Sequence, residues 1–206
     1  MPPKKNTKTN ETLICGKTYH IYNKAVGNEL LFRTEEDYKY FLQKLSRFIL
    51  KVADIYAYCL IPNHFHILLK IKEPNEIPLL AKINEDDYSN YLMNTFRNFF
   101  NSYSKSYNKI HQRQGRLFIL PFKRIIVEDY YYFVVLINYI HRNPLHHKLV
   151  KQFSEWEYSS YHTFLSDKTT KIDRDEVLSY FDSVADFIEY HEENKTKPGM
   201  DDLYVE

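Results

Sequence analysis

The stretch AYCLIPNHFHILLKI, Ala57 to Ile71, decides how this chain is read. It is apolar and strand-like, broken once by Pro62-Asn63, and it places two imidazoles one residue apart at His64 and His66. Successive side chains of a strand point to opposite faces, so residues two apart share a face and lie about 7 Å apart along it. His64 and His66 therefore look the same way, while Phe65, Ile67, Leu69 and Ile71 look the other way and can be buried. Two neutral imidazoles converging on one face can ligate a divalent metal. A His-x-His pair in a strand is more commonly a hydrogen-bonded pair of partly buried histidines, so the metal reading needs a third ligand and a chemical partner.

Working outward, Pro62-Asn63 reads as a tight turn that joins DIYAYCLI, residues 54–61, to the histidine strand as a hairpin. Upstream, KTYHIYNKAV at 17–26 alternates like a strand and is closed by Gly27-Asn28. Thr34 and Asp37 resemble a capping box, and Tyr38, Phe41, Leu42, Leu45, Phe48 and Ile49 recur at helical spacing to about Leu50. Downstream, Tyr88, Leu92, Phe96, Phe99 and Tyr103 mark a second long helix from about Asp86 to Asn108, and RLFILPFKRIIV supplies a fourth strand that Pro121 interrupts. The order β-α-β-β-α-β predicts an α+β, ferredoxin-like antiparallel sheet with helices on one face. A third helix runs from Asp129 to near Pro144, and a C-terminal helical appendage follows it. The organisation expected is a disordered basic tail over 1–16, a main α+β domain over 17–150, the appendage over 151–195 and a flexible tail over 196–206.

Composition excludes several classes. Among 206 residues there are four glycines and no Gly-rich phosphate loop, and the two cysteines, Cys15 and Cys59, form neither a disulfide framework nor a CxxC site. MPPKKNTKTNET at the start is neither signal peptide nor anchor, and no apolar run reaches the 18 or so residues of a membrane span. A cytoplasmic, nucleoid-associated protein with no membrane partner is expected.

The net charge of +1 conceals an asymmetry. Ser89 to Arg124 holds no acidic residue, and carries Arg97, Lys105, Lys109, Arg113, Arg116, Lys123 and Arg124 among Phe96, Phe99, Phe100, Tyr103, Tyr107 and Phe118. Residues 151–206 hold fourteen Asp and Glu against six Lys and Arg. Cations for phosphates and rings for unstacked bases are what a single-strand DNA groove uses, so these seven cations are candidate DNA contacts. A solvated helix face over core aromatics accounts for the same composition.

In EDYYYFVVLINYIHRNPLHHKLV the stripe Phe133, Leu136, Ile137 and Ile140 should dock the third helix on the sheet. Tyr139 and Asn143, four apart and so about 40° apart around the axis, flank that stripe on one side. If that side meets the imidazole face, Asn143 offers a carbonyl oxygen as third ligand and Tyr139 a phenol beside the metal. A tyrosine near a metal-bound phosphate is a nucleophile for phosphoryl transfer. Tyr130, Tyr131 and Tyr132 read as packing or groove residues, and His111, His141, His146 and His147 as surface or phosphate-contacting ones.

The segments YHIYNKAVGNELLF, YCLIPNHFHILL, GRLFILPFKRIIVED, INYIHRNPLHHKLV and WEYSSY, in that order over residues 17 to 162, resemble the REP-associated tyrosine transposases. These are a branch of the single-tyrosine transposases with the His-hydrophobe-His motif. The resemblance implies a ferredoxin-like nuclease that cuts single-stranded DNA near imperfect hairpins, forms a 5′-phosphotyrosine, leaves a 3′-hydroxyl and needs Mg²⁺ or Mn²⁺. Carried over residue by residue, it makes His64 and His66 the metal imidazoles, Asn143 the third ligand and Tyr139 the nucleophile. The partner expected is hairpin-bearing single-stranded DNA, and the protein a monomer or homodimer. Two rival readings are a non-catalytic hairpin-binding protein on the same fold and a metal phosphodiesterase that uses water in place of tyrosine.

Overall fold

Alternation and turn chemistry place the first three strands where the sequence expects them. In the computed structural model, which describes residues 9–193, β1 spans Thr18–Lys24, β2 Ala53–Ile61, β3 His64–Ile71 and β4 Lys123–Ile126. They form one antiparallel sheet in the order β2-β3-β1-β4. Helix α1, Glu35–Phe48, follows β1 through Gly27, whose φ of +57° is one that a residue with a Cβ rarely adopts. The capping box is present, with Asp37 Oδ2 accepting from the Thr34 amide at 3.0 Å. Helix α2, Tyr88–Ile110, lies beside α1, and α3, Tyr130–His146, continues through Pro144. Three short helices follow, α4 (Tyr161–Phe164), α5 (Arg174–Leu178) and α6 (Val184–Glu193).

The period-2 pattern of β3 sorts its side chains into two cores. Phe65, Ile67, Leu69 and Ile71 enter a core with Phe41 and Leu45 of α1 and Phe96, Phe99 and Tyr103 of α2. On the opposite face Leu68 joins Cys59 and Ile61 of β2 and Leu136, Ile137 and Ile140 of α3. The register slips between Ile55 and Ala57, which sends Ile55 to the first core and Ala57 to the second. Helices thus cover both faces of the sheet. The one-face expectation holds for α1 and α2, whereas α3 takes the other side because its own stripe is apolar enough to bury Leu68 and Cys59.

Three expectations are revised. The strand expected over residues 116–127 is confined to Lys123–Ile126, with an isolated bridge from Phe118 to Ala25, because Pro121 has no N–H to continue the ladder. Residues 9–16, assigned to a disordered tail, are part of the fold. Asn10 bridges Arg124, Leu13 is buried, and the Tyr19 hydroxyl donates to Thr12 O at 2.8 Å while accepting from the Ile14 amide at 2.9 Å. The rest of that expected tail and the expected tail at 196–206 lie outside the described residues. Finally, residues 151–193 share the second core: Phe153, Tyr161, Phe164, Val177 and Phe187 pack with α3.

Both margins of the sheet are occupied. The Arg124 amide donates to Thr9 O and the Glu11 amide to Arg124 O along β4. Along β2, Ser159 bridges Cys59 and Ile172 bridges Ile55. Among the described residues no helix is long and apolar enough to cross a membrane.

Candidate active site

The imidazole face of β3 meets α3. His64 and His66 come together with ring centroids 5.2 Å apart, and the Tyr139 ring stands edge-on to His66 at 5.4 Å. Asn143 Oδ1 lies 3.1 Å from His64 Nε2. The four residues singled out from sequence as metal ligands and nucleophile therefore form one constellation. It is buried more deeply than a surface site, since Tyr139 is 2 % exposed and Asn143 0 %.

Each imidazole is held through Nδ1. His64 Nδ1 faces Asn63 Oδ1 at 2.9 Å, and His66 Nδ1 faces His20 Nε2 at 2.9 Å. With His66 Nδ1 as the donor of that contact, its Nε2 keeps a lone pair, the arrangement in which an outer partner fixes the tautomer of a metal-ligating histidine. Burial holds His20 and His64 down to about 3 and His66 well below the ordinary imidazole range, with the neighbouring imidazoles adding to the effect at His66. All three are neutral at pH 7.

Neutrality makes one contact of His64 anomalous. A neutral imidazole has one N–H, yet its two nitrogens face two amide oxygens, Asn63 Oδ1 and Asn143 Oδ1. One of those pairs sets lone pair against lone pair, and the Asn143 amide nitrogen is buried without a hydrogen-bond partner. Two neutral donor atoms 3.1 Å apart match adjacent ligands on a six-coordinate cation with bonds of about 2.1 Å. The residues present thus fit a hard divalent ion held by two imidazoles and an amide oxygen. No cluster of three or more His, Cys, Asp or Glu suited to a metal occurs among the described residues, so the amide is needed to complete such a set.

Sequence reasoning did not place His20, Tyr22, His146 or His147 at this site. His20 lies on the imidazole face because its partner across β1 and β3 is Leu68, and its neighbour Tyr22 pairs with His66. The alternation of YHIYNK hints at that face, but only the pairing of β1 with β3 reveals which histidine it serves. His147 sets its ring 4.6 Å from His64, and His146, two turns beyond Tyr139, stacks over that phenol at 6.2 Å. The reading of His141 as a surface residue is corrected: it is fully buried, bonded to His191 Nε2 at 2.9 Å and Ser160 Oγ at 2.8 Å. His111 likewise is engaged, 2.9 Å from Asp37.

The seven candidate DNA contacts do not form one patch. Arg97, Lys105 and Lys109 are exposed on α2, in the layer across the sheet from the imidazoles. Arg113 is tied to Glu29 at 3.1 Å and to the carbonyl of Arg116 at 2.7 Å, and Arg116 is exposed in the same loop. Arg124 binds the carbonyls of Asn10, Glu11 and Phe122, anchoring the N-terminal arm. Lys123 points to the imidazole face, because its partner across the sheet is Tyr22.

Buried neutral histidines make stability pH-dependent. His20, His64 and His191 sit at about 3 in the fold, against about 6.5 when unfolded. Above pH 6.5 neither state binds these protons, and below it only the unfolded chain does, so stability falls as pH falls from 6.5 toward 3. Each imidazole costs about 2 kcal/mol at pH 5, and three cost about 6, comparable to the whole stability of a typical domain. The thermal midpoint should therefore be level from pH 8 to 7 and collapse by pH 5, as followed by circular dichroism. A midpoint unchanged at pH 5 would show that these rings accept protons in place.

The chain thus presents a ferredoxin-like sheet whose His-x-His strand is met by a tyrosine and an asparagine of one helix. Among solved structures, a REP-associated tyrosine transposase bound to a REP hairpin has the same fold, with a TM-score of 0.59 and 18% identity over 78% of this chain and 86% of that one. At that identity the likeness establishes the fold. No family model and no curated protein matches the sequence.

Proposed function

We propose that this protein is a metal-dependent single-strand DNA endonuclease and strand transferase that cuts near hairpins through a 5′-phosphotyrosine on Tyr139. The observation that carries the reading is the convergence of His64, His66, Asn143 and Tyr139 from β3 and α3. The structural neighbour is bound to a REP hairpin, which makes hairpin DNA the substrate class read for this chain.

His64, His66 and Asn143 are the groups that would hold Mg²⁺ or Mn²⁺, and such an ion would supply charge stabilisation to phosphoryl transfer. Tyr139 Oη attacks phosphorus, and its proton passes through solvent to the leaving 3′ oxygen. The O–P bond forms, the bond to the 3′ oxygen breaks, and that oxygen takes up a proton to become the free 3′-hydroxyl. Attack of a 3′-hydroxyl on the phosphotyrosine runs the same steps backwards and joins strands. His20 holds His66 in orientation throughout.

The test is incubation with an end-labelled hairpin oligonucleotide and Mn²⁺, then denaturing electrophoresis. A labelled band at the mobility of protein plus DNA is expected, and cleavage without it would assign the chemistry to water. The second reading, a hairpin-binding protein without turnover, draws on the burial of Tyr139, and binding with neither cleavage nor adduct would establish it. Asn143→Ala should lower cleavage by about tenfold, since water can replace one neutral oxygen ligand on a hard cation. A loss as complete as that of the histidines would give Asn143 a larger role.

A further inference from the structure

The strand register lays out the imidazole face in rows. Ile61, His64 and Lys24 face one another across β2, β3 and β1, and Cys59, His66, Tyr22 and Lys123 do so across all four strands. Directly opposed residues share a sheet face, and neighbouring strands lie about 4.8 Å apart, so Lys24 stands one strand from His64 and Lys123 two strands, about 10 Å, from His66. Helix α3 lies along β2 and β3. Beyond it the β1 and β4 half of this face is partly open, with Tyr22 and Lys123 half-buried and Lys24 exposed.

This open strip has the chemistry of a single-strand track. The face residues of β1 and β4, namely Thr18, His20, Tyr22, Lys24, Lys123 and Ile125, include no acid. Neither lysine is ion-paired among the described residues; Lys123 Nζ donates to Thr9 Oγ1 at 3.2 Å. The Tyr22 ring is held in place between them by stacking on His20 at 4.8 Å and His66 at 5.7 Å. A ring with two unpaired ammonium groups beside it suits an unstacked base and its flanking phosphates.

We infer that Lys24, Tyr22 and Lys123 form the track along which single-stranded DNA runs into the site. The inference rests on the reading of that site as one acting on single-stranded DNA, and it moves the entry path from α2 to the β1 and β4 half of the sheet.

Binding of a dye-labelled dT oligonucleotide, measured against salt, tests it. Removing two phosphate contacts with Lys24→Gln and Lys123→Gln should flatten the plot of log affinity against log salt by about 1.4. Removing three charges from α2 with Arg97→Gln, Lys105→Gln and Lys109→Gln should flatten it less, although a whole-protein charge effect predicts the reverse order. Tyr22→Leu should weaken binding roughly 5- to 150-fold, the worth of one stacked base, without changing the slope. Since Tyr22 packs on two histidines, thermal midpoints accompany that variant and the lysine pair carries the decision. An unchanged slope in the lysine pair, a larger change in the α2 variant, or no binding of dT by the wild type overturns the track. The adduct assay reports separately. Adduct formation with an unchanged lysine-pair slope sinks the track alone, and a lysine-dependent slope without adduct sinks the phosphotyrosine reading alone.

Discussion

Tyr139→Phe is expected to remove the covalent protein–DNA adduct entirely, a drop of at least about 10³ in cleavage, while hairpin binding changes by no more than a few-fold. The substitution deletes one hydroxyl and keeps the ring that stands edge-on to His66 and His20. Tyr139 belongs to the second core, so the ring has to stay for α3 to stay docked. Phenylalanine therefore isolates chemistry from packing, which alanine at this position would not. Thermal midpoints of the two proteins should agree within a few degrees. Persistence of the adduct in Tyr139→Phe would place the nucleophile elsewhere. Tyr132, two turns earlier and about 20° around the helix, is the first residue to examine.

Joint replacement of His64 and His66 by alanine should abolish cleavage, and excess EDTA should do the same to the unaltered protein. On the proposed mechanism, loss of the ion would remove several kcal/mol of charge stabilisation, a factor of about 10³ or more. The structure adds a complication: removing His66 strands His20 Nε2 in a buried position, at a cost of about 1–3 kcal/mol in stability. Chelation leaves both rings in place and is free of that effect. Robust cleavage in EDTA would end the metal mechanism whatever the variant does, and restoration by Mn²⁺ after EDTA would confirm that the ion, not the fold, had been lost.

The parts of this molecule that depend on local periodicity are legible in its sequence. The faces of β3 follow from alternation, the turn at Pro62-Asn63 from composition, and the shared side of Tyr139 and Asn143 from helical geometry. What depends on pairing between distant segments is not. His20 acquires its partner only when β1 is placed against β3, and residues 9–16 join the fold through Arg124, the Tyr19 hydroxyl and the burial of Leu13, contacts that no local pattern shows. Arg113 and Lys123 look alike in a charge pattern. One is tied to Glu29, while the other stands on the imidazole face of the sheet by its register with Tyr22. A count of cations cannot separate these cases, because the partner of each is set by the fold.

The occupied margins of the sheet bear on the order of the reaction in protein. Strand addition from a second copy needs a free row of backbone donors and acceptors, and here residues 9–11 fill the β4 side while residues 159 and 172 bridge β2. Each chain also sets its own Tyr139 against its own His66. Edge-to-edge pairing of two copies through these margins is accordingly not a step that turnover should depend on.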